Sequence, residues 1–286
     1  MPMHPAPPTD LAGLVDAFER TVQAVIDLGQ TCSPLDFDLQ TECPGWTVKD
    51  QISHIVGIES WLDGAEPPAI ELPDLAHLRT EVAEFVELFV EERRPLEGSD
   101  VVGELEDVLV SRMSALHDSA LTEASVIRGV FGAVNAVEGL TLRVIDIWVH
   151  EQDIRAAIGR PGNLDCPSAA AFVSAIIDSL PRIVARDAGV PPGQAVLFDI
   201  TGPVVGRAGV RVVEGEDGRP RGEALFTGDR HDATADKAGG TTSITLSTDA
   251  LTRRAAGRRS VDEIIFTVHG DDDVARTVLE HLVLTH

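Results

Sequence analysis

The sequence contains no tyrosine, and aromatic residues make up only 4% of it. Its core therefore has to be aliphatic, built from Leu, Val, Ile and Ala. Cysteine is scarce as well. Cys32, Cys43 and Cys166 are odd in number and widely spaced, so neither a disulfide framework nor a C-x-x-C pair emerges. Positive charge is short: 23 Lys and Arg stand against 47 Asp and Glu, a net charge of −24. Such a surface repels a phosphate backbone and an anionic bilayer, so neither nucleic acid nor membrane is expected as a partner. The opening MPMHPAPPTD lacks the charged-then-apolar layout of a signal peptide. No apolar run approaches the roughly 20 residues that cross a bilayer. Together these absences predict a reduced, cytoplasmic protein.

At 286 residues the chain is long for one compact domain. Its texture divides it into residues 1–165 and 166–286. The first part reads as helices, over about 10–29, 47–62, 74–94, 99–122 and 134–159, with few strand signals. Asp10 can cap the first helix, and Thr47 with Asp50 makes an acidic capping box for the second. Four or five such helices suggest an antiparallel bundle. A further helix over 167–187 leads into the short β-like runs AVLFDIT, GVRVVE, EALFTG and SITLST. Helices over 248–257 and 271–284, with the strand EIIFTVHG between them, complete a small α+β domain. The glycines at 202, 206 and 209 look like strand turns. No phosphate-binding loop, dinucleotide fingerprint or G-x-S-x-G appears.

The stretch DIWVHEQDIR, 146–155, carries the chemistry. At about 100° per residue, Arg143, Asp146, His150 and Asp153 fall within about 80° of one another. Glu151, Gln152 and Arg155 occupy a second polar side, with Ile147, Ile154 and Ile158 between the two. A surface helix needs only one polar face, so two of them imply that one points inward. An aspartate and a histidine four apart stack one turn from each other and can converge on an ion. A solvated or salt-bridged pair is the alternative. His54, set among Val48, Ile52, Ile55, Val56 and Ile58, offers a third ligand from another helix, or else a hydrogen-bonded core histidine. Two imidazoles and a carboxylate suit Zn²⁺ with an open fourth position, and equally a non-haem Fe(II) facial triad. His77 and His117 read as solvated, and Cys43, beside Pro44, as a buried thiol close to the second helix.

Three segments carry a family resemblance. TECPGWTVKDQISHIVGIESWL, 41–62, matches a C-P-G-W-x-V-x-D-x-x-x-H signature. LRVIDIWVHEQDIRAAIGRPG, 142–162, matches an acidic-x-x-x-H-x-x-D-I-R helix, and AAGRRSVDEIIFTVHGDDDVARTVLEHL, 255–282, a GR…GD…A…VL ending. The chain thereby resembles the mycothiol-dependent maleylpyruvate isomerase-like proteins. In these, a DinB-like four-helix bundle that binds metal precedes a sterol-carrier-like α+β domain. The resemblance implies metal ligands at His54, Asp146 and His150, holding Zn²⁺ or another divalent ion, with mycothiol as thiol cofactor. It departs from the pattern at one ligand, where the family's defining isomerase has glutamate and this chain the shorter Asp146. Asp153 and Arg155 match too. Asp153 is expected to orient a ligand, and Arg155 to bind an anionic part of thiol or substrate, although it points away from the triad. The implied activity is isomerisation of a small electrophile or thiol transfer to it. An oxygenase and a non-catalytic module binding metal or a small molecule are the rival readings.

Overall fold

The computed structural model describes residues 3–75, 78–226 and 240–284. His77, His231, His286 and the end of the EALFTG run lie outside them. The chain forms two compact units, one of Pro8–Gly162 and one of Asn163 onward joined by the residues up to Pro7.

The first unit is helical: α1 (Leu11–Gln30), α2 (Val48–Leu62), α3 (Glu81–Arg93), α4 (Gly98–Leu116) and α5 (Ala136–Ala157). Asp10 caps α1 by accepting from the Gly13 amide, and the Thr47–Asp50 capping box opens α2. Two helices are shorter than the sequence predicts. α3 starts only after Thr80, whose hydroxyl accepts from the Ala83 amide and fixes the first turn there. α4 stops at Leu116, because Asp118 turns its carboxylate onto the Ala120 amide and competes with the helix. Before α5 comes a hairpin that the sequence did not announce. Its strands β1 (Val126–Gly129) and β2 (Gly132–Asn135) pair antiparallel from Gly129 opposite Gly132.

α1 lies against α4 and α5, and α2 against α3, α4 and α5. Leu14, Phe18, Val25, Ile52, Ile55, Leu105, Val144 and Ile147 fill the space between them. Gly57 allows the close approach of α3, since a methyl there would run into the Phe89 ring. α5 sits deepest. From Arg143 to Ile154 every residue except Asp146 is buried, so both of its polar faces are covered by protein, not one of them as its pattern implied.

The second unit contains α6 (Pro167–Arg182), β3 (Ala195–Thr201), β4 (Gly206–Glu214), β5 (Pro220–Leu225), β6 (Thr241–Ser247), α7 (Thr248–Ala255), β7 (Phe266–His269) and α8 (Asp272–Glu280). The sheet order is β5-β4-β3-β6-β7, antiparallel except for the parallel pair β3–β6. Of the three glycines read as turns, only Gly202 has a left-handed backbone, while Gly206 and Gly209 lie within β4. At Gly222, on β5, the α6 backbone at Pro181 approaches so closely that no side chain fits. α6 runs on into a π turn, and Pro167–Asp187 together is long and apolar enough to cross a bilayer, contrary to the sequence reading. Most of that stretch is buried within the protein.

Candidate metal centre

Among the described residues, His54, Asp146 and His150 form a group whose potential ligand atoms all lie within 4.8 Å of one another. His54 stands in the second turn of α2, and Asp146 and His150 stack one turn apart on α5. His54 Nε2 is 3.2 Å from Asp146 Oδ2, and His150 Nε2 is 3.6 Å from Asp146 Oδ1. A tetrahedral centre with bonds of about 2.0–2.1 Å sets neighbouring ligand atoms about 3.3 Å apart, so the donor set fits a small divalent ion. The two imidazole side chains are 6% and 8% exposed and the Asp146 side chain 34%, which leaves the group open on the carboxylate side alone.

Each ligand is prepared by its surroundings. Burial, reinforced by the neighbouring His150, pushes His54 down to about 4 against the pull of Asp146, so its ring is neutral and has a lone pair to give. Burial by itself would raise the Asp146 carboxyl. The Arg143 guanidinium and the two imidazoles outweigh it and hold the group well below the usual carboxylate range. Gln51 orients His150. Its Nε2 donates to Thr41 Oγ1 at 2.7 Å, which turns its Oε1 to accept from His150 Nδ1 at 2.5 Å. The proton therefore sits on Nδ1 and the lone pair on Nε2, facing Asp146. The Trp46 ring covers both imidazoles, with centroids 5.1 Å from His54 and 5.7 Å from His150, and its Nε1 donates to the buried Glu87.

Behind Asp146 runs a string of buried charges from three helices. Arg143 Nη1 donates to Asp146 Oδ2 at 2.9 Å, and Arg143 Nε donates to Glu59 Oε1 at 2.6 Å. Arg112, from α4, donates to the other Glu59 oxygen at 2.8 Å. Asp146 and Glu59 together hold the Arg143 guanidinium more firmly protonated than usual, despite its burial.

The other expected residues fall differently. Asp153 is buried with its carboxylate 3.7 Å from His150 Nδ1, beyond hydrogen-bonding reach, and Gln51 has the orienting contact instead. Arg155 is not brought to the triad. Its Nε donates to Glu151 at 2.7 Å and its Nη1 to the Arg160 carbonyl at 3.3 Å, which ties it to the covered second polar face. Cys43 is a half-buried cysteine, in no disulfide, outside the converging group. Gln51 was legible in principle, one turn before His54 on the same helix. Glu59 and Arg112 had no sequence signal, because each reads as an ordinary charge on a helix surface.

Removal of the Gln51 contact gives a direct test of its role. Gln51→Leu is expected to weaken Zn²⁺ affinity about 10- to 100-fold while the helical content stays native. Competition with a chromophoric chelator measures it, and an unchanged affinity would show that His150 needs no such partner.

A helical unit carrying a two-histidine, one-carboxylate cluster, followed by an α+β unit, defines the class. The family model for the mycothiol maleylpyruvate isomerase N-terminal domain matches residues 6–155, more than half of the chain, and the chain belongs to that family. Among solved structures, the mycothiol-dependent maleylpyruvate isomerase is similar at 16% identity, with a TM-score of 0.53 over 90% of this chain and 92% of that one. A histidine-to-alanine mutant of that isomerase matches at 16% identity and a TM-score of 0.52, with the same coverage. At this identity the likeness is one of fold. A search of the curated proteins returns no match.

Proposed function

We propose that the chain is a metal-dependent enzyme using a low-molecular-weight thiol, mycothiol, to isomerise or derivatise a small electrophile. The observation that carries it is the convergence of His54, Asp146 and His150 with an opening on the Asp146 side. Family membership supplies the thiol. In this reading the three residues are the metal ligands, and the helical unit is a DinB-like four-helix bundle of α1, α2, α4 and α5. The second unit is the sterol-carrier-like partner, and the reducing cytoplasm is the compartment such a thiol requires. The donor set suits Zn²⁺, with other divalent ions as substitutes.

A divalent ion held by His54, Asp146 and His150 would supply the Lewis acidity that brings a thiol's deprotonation toward neutral pH. The chain's own residues do the rest. His54 stays neutral, Gln51 fixes the His150 tautomer, and Arg143 holds the Asp146 carboxylate in place. Both imidazoles and the Trp46 ring exclude water from the buried side. Asp153 stands 3.7 Å behind His150, and Arg155 pairs with Glu151. A thiolate that adds to a conjugated double bond and leaves after rotation gives isomerisation, and one that stays gives a thioether product.

The test is turnover of maleylpyruvate, and of other small conjugated electrophiles, with and without mycothiol. Consumption is expected to require the thiol. It should fall at least about 100-fold after stripping with dipicolinate and return on adding Zn²⁺. A protein that binds one equivalent of metal yet turns over none of them belongs to the non-catalytic reading instead.

A further inference from the structure

We propose that the Thr41 hydroxyl decides which ring nitrogen of His150 carries the proton, acting as a positioning residue two hydrogen bonds away from the ring. Its bearing on metal affinity rests on the triad being a metal site, whereas the placement of the proton does not.

The loop ahead of α2 fixes the hydroxyl first. Cys43, Pro44, Gly45 and Trp46 form a tight turn, closed by the Trp46 amide on the Cys43 carbonyl at 3.2 Å. Pro44 at its second position and Gly45, with φ of 81°, at its third are what a type II turn requires. Thr41 packs its hydroxyl against this turn. Oγ1 donates its one proton to the Trp46 carbonyl at 2.8 Å, an atom that can only accept. The Cys43 carbonyl, at 3.4 Å, is a second acceptor of the same kind. Oγ1 itself accepts from the Cys43 amide at 3.3 Å and from Gln51 Nε2 at 2.7 Å, which occupies both of its lone pairs. The hydroxyl therefore has no proton left for Gln51 and can only receive one from it.

That direction passes along the chain of contacts. Gln51 is fully buried and has to turn its amide nitrogen to Thr41, so its carbonyl faces His150 Nδ1, 2.5 Å away, as an acceptor. The reverse orientation would set two oxygens against each other at Thr41 with no proton between them. It would also place the amide NH2 on Nδ1 and drive the ring proton to Nε2. The nitrogen beside Asp146 would then have no lone pair for an ion. The nearby carboxylates do not settle the matter by themselves. Asp146 Oδ1 lies 3.6 Å from Nε2 and Asp153 Oδ2 lies 3.7 Å from Nδ1, so they draw the proton toward opposite nitrogens from nearly equal distances. The short hydrogen bond to Gln51 decides between them, and Thr41 gives that bond its direction.

Long-range proton–nitrogen NMR spectra of the metal-free protein, recorded where the imidazoles are neutral, tell the two tautomers apart. A competition titration with Zn²⁺ follows on the same samples. Native His150 is expected to carry its proton on Nδ1. Thr41→Val keeps the shape of the side chain without the hydroxyl. It should move a large share of the ring to the Nε2–H form and weaken Zn²⁺ binding about tenfold. Thr41→Ser, which keeps the hydroxyl, should retain the native tautomer and stay within about threefold of native affinity. Thr41→Ala takes the place of Thr41→Val if that variant does not fold. A native His150 protonated on Nε2, or a hydroxyl-free variant still wholly protonated on Nδ1, overturns the inference and leaves the metal site standing. A native protein that takes up no Zn²⁺, while loss of the hydroxyl shifts the tautomer, supports the inference and overturns the metal reading.

Discussion

Glu59→Ala is expected to destabilise the protein by about 3–5 kcal/mol, the largest effect of any surface-remote substitution proposed for it. Glu59 is fully buried, and both of its oxygens accept from guanidinium groups, at 2.6 Å from Arg143 and 2.8 Å from Arg112. Its removal leaves two buried cations, Arg143 with Asp146 as its remaining partner and Arg112 with the more distant Asp63, 3.9 Å away. At about 2–4 °C per kcal/mol for a unit of this size, the melting temperature should fall by roughly 6–20 °C. Thermal melts followed by circular dichroism measure it. Glu104→Ala is the control, since the Glu104–Arg93 pair is similarly short at 2.7 Å but the carboxylate is 39% exposed. It should lose less than about 1 kcal/mol. Equal losses in the two variants would mean that the buried string contributes no more than a surface ion pair.

The second large effect is chemical. The His54→Ala/His150→Ala protein should lose its metal, from about one equivalent to less than about a tenth, since one carboxylate cannot replace a three-ligand site. Thiol-dependent turnover should fall at least about a thousandfold with it. Elemental analysis and the maleylpyruvate assay, run on the same preparations, separate three outcomes. Metal retained would place the ligands elsewhere. Metal lost with turnover intact would make the ion structural. Metal absent from the native protein, even after zinc is offered, would reduce the cluster to a polar feature of the core.

The triad could be read from the sequence because its signal is local. Asp146 and His150 share a helix at a four-residue spacing, and His54 interrupts an apolar run. What surrounds the triad could not be read, because it is assembled across helices. Glu59 looks like a solvated acid near a helix end until Arg112 arrives from α4 and Arg143 from α5. The orienting role was expected of Asp153 from its match to the family pattern; the hydrogen bond to His150 Nδ1 comes from Gln51, a contact that crosses from α2 to α5 and leaves no mark in either helix's own pattern. Helix identities followed from apolar periodicity, and helix ends did not. Thr80 and Asp118 each terminate a helical pattern by a hydrogen bond that outcompetes the backbone's own. The hairpin at 126–135 escaped because its strands are four residues long and half exposed, too short for alternation to register.

The division of the chain also sets an order of events during synthesis. Every member of the candidate centre and of the charge string behind it, from Gln51 to Asp153, belongs to one contiguous stretch, Pro8–Gly162. That stretch is complete before β3 has left the ribosome, so the ligand set can assemble while the sheet is still being made. His4 is the exception. It exchanges backbone hydrogen bonds with Val205, at 2.9 and 2.8 Å, and so a segment that emerges ahead of the helical unit waits for some 200 residues before it has a partner. The sheet waits longer still, since its central parallel pair joins β3 to a strand that ends only at Ser247. The centre's amino acids are thus the early-maturing part of the molecule, and the strands are its late-maturing part.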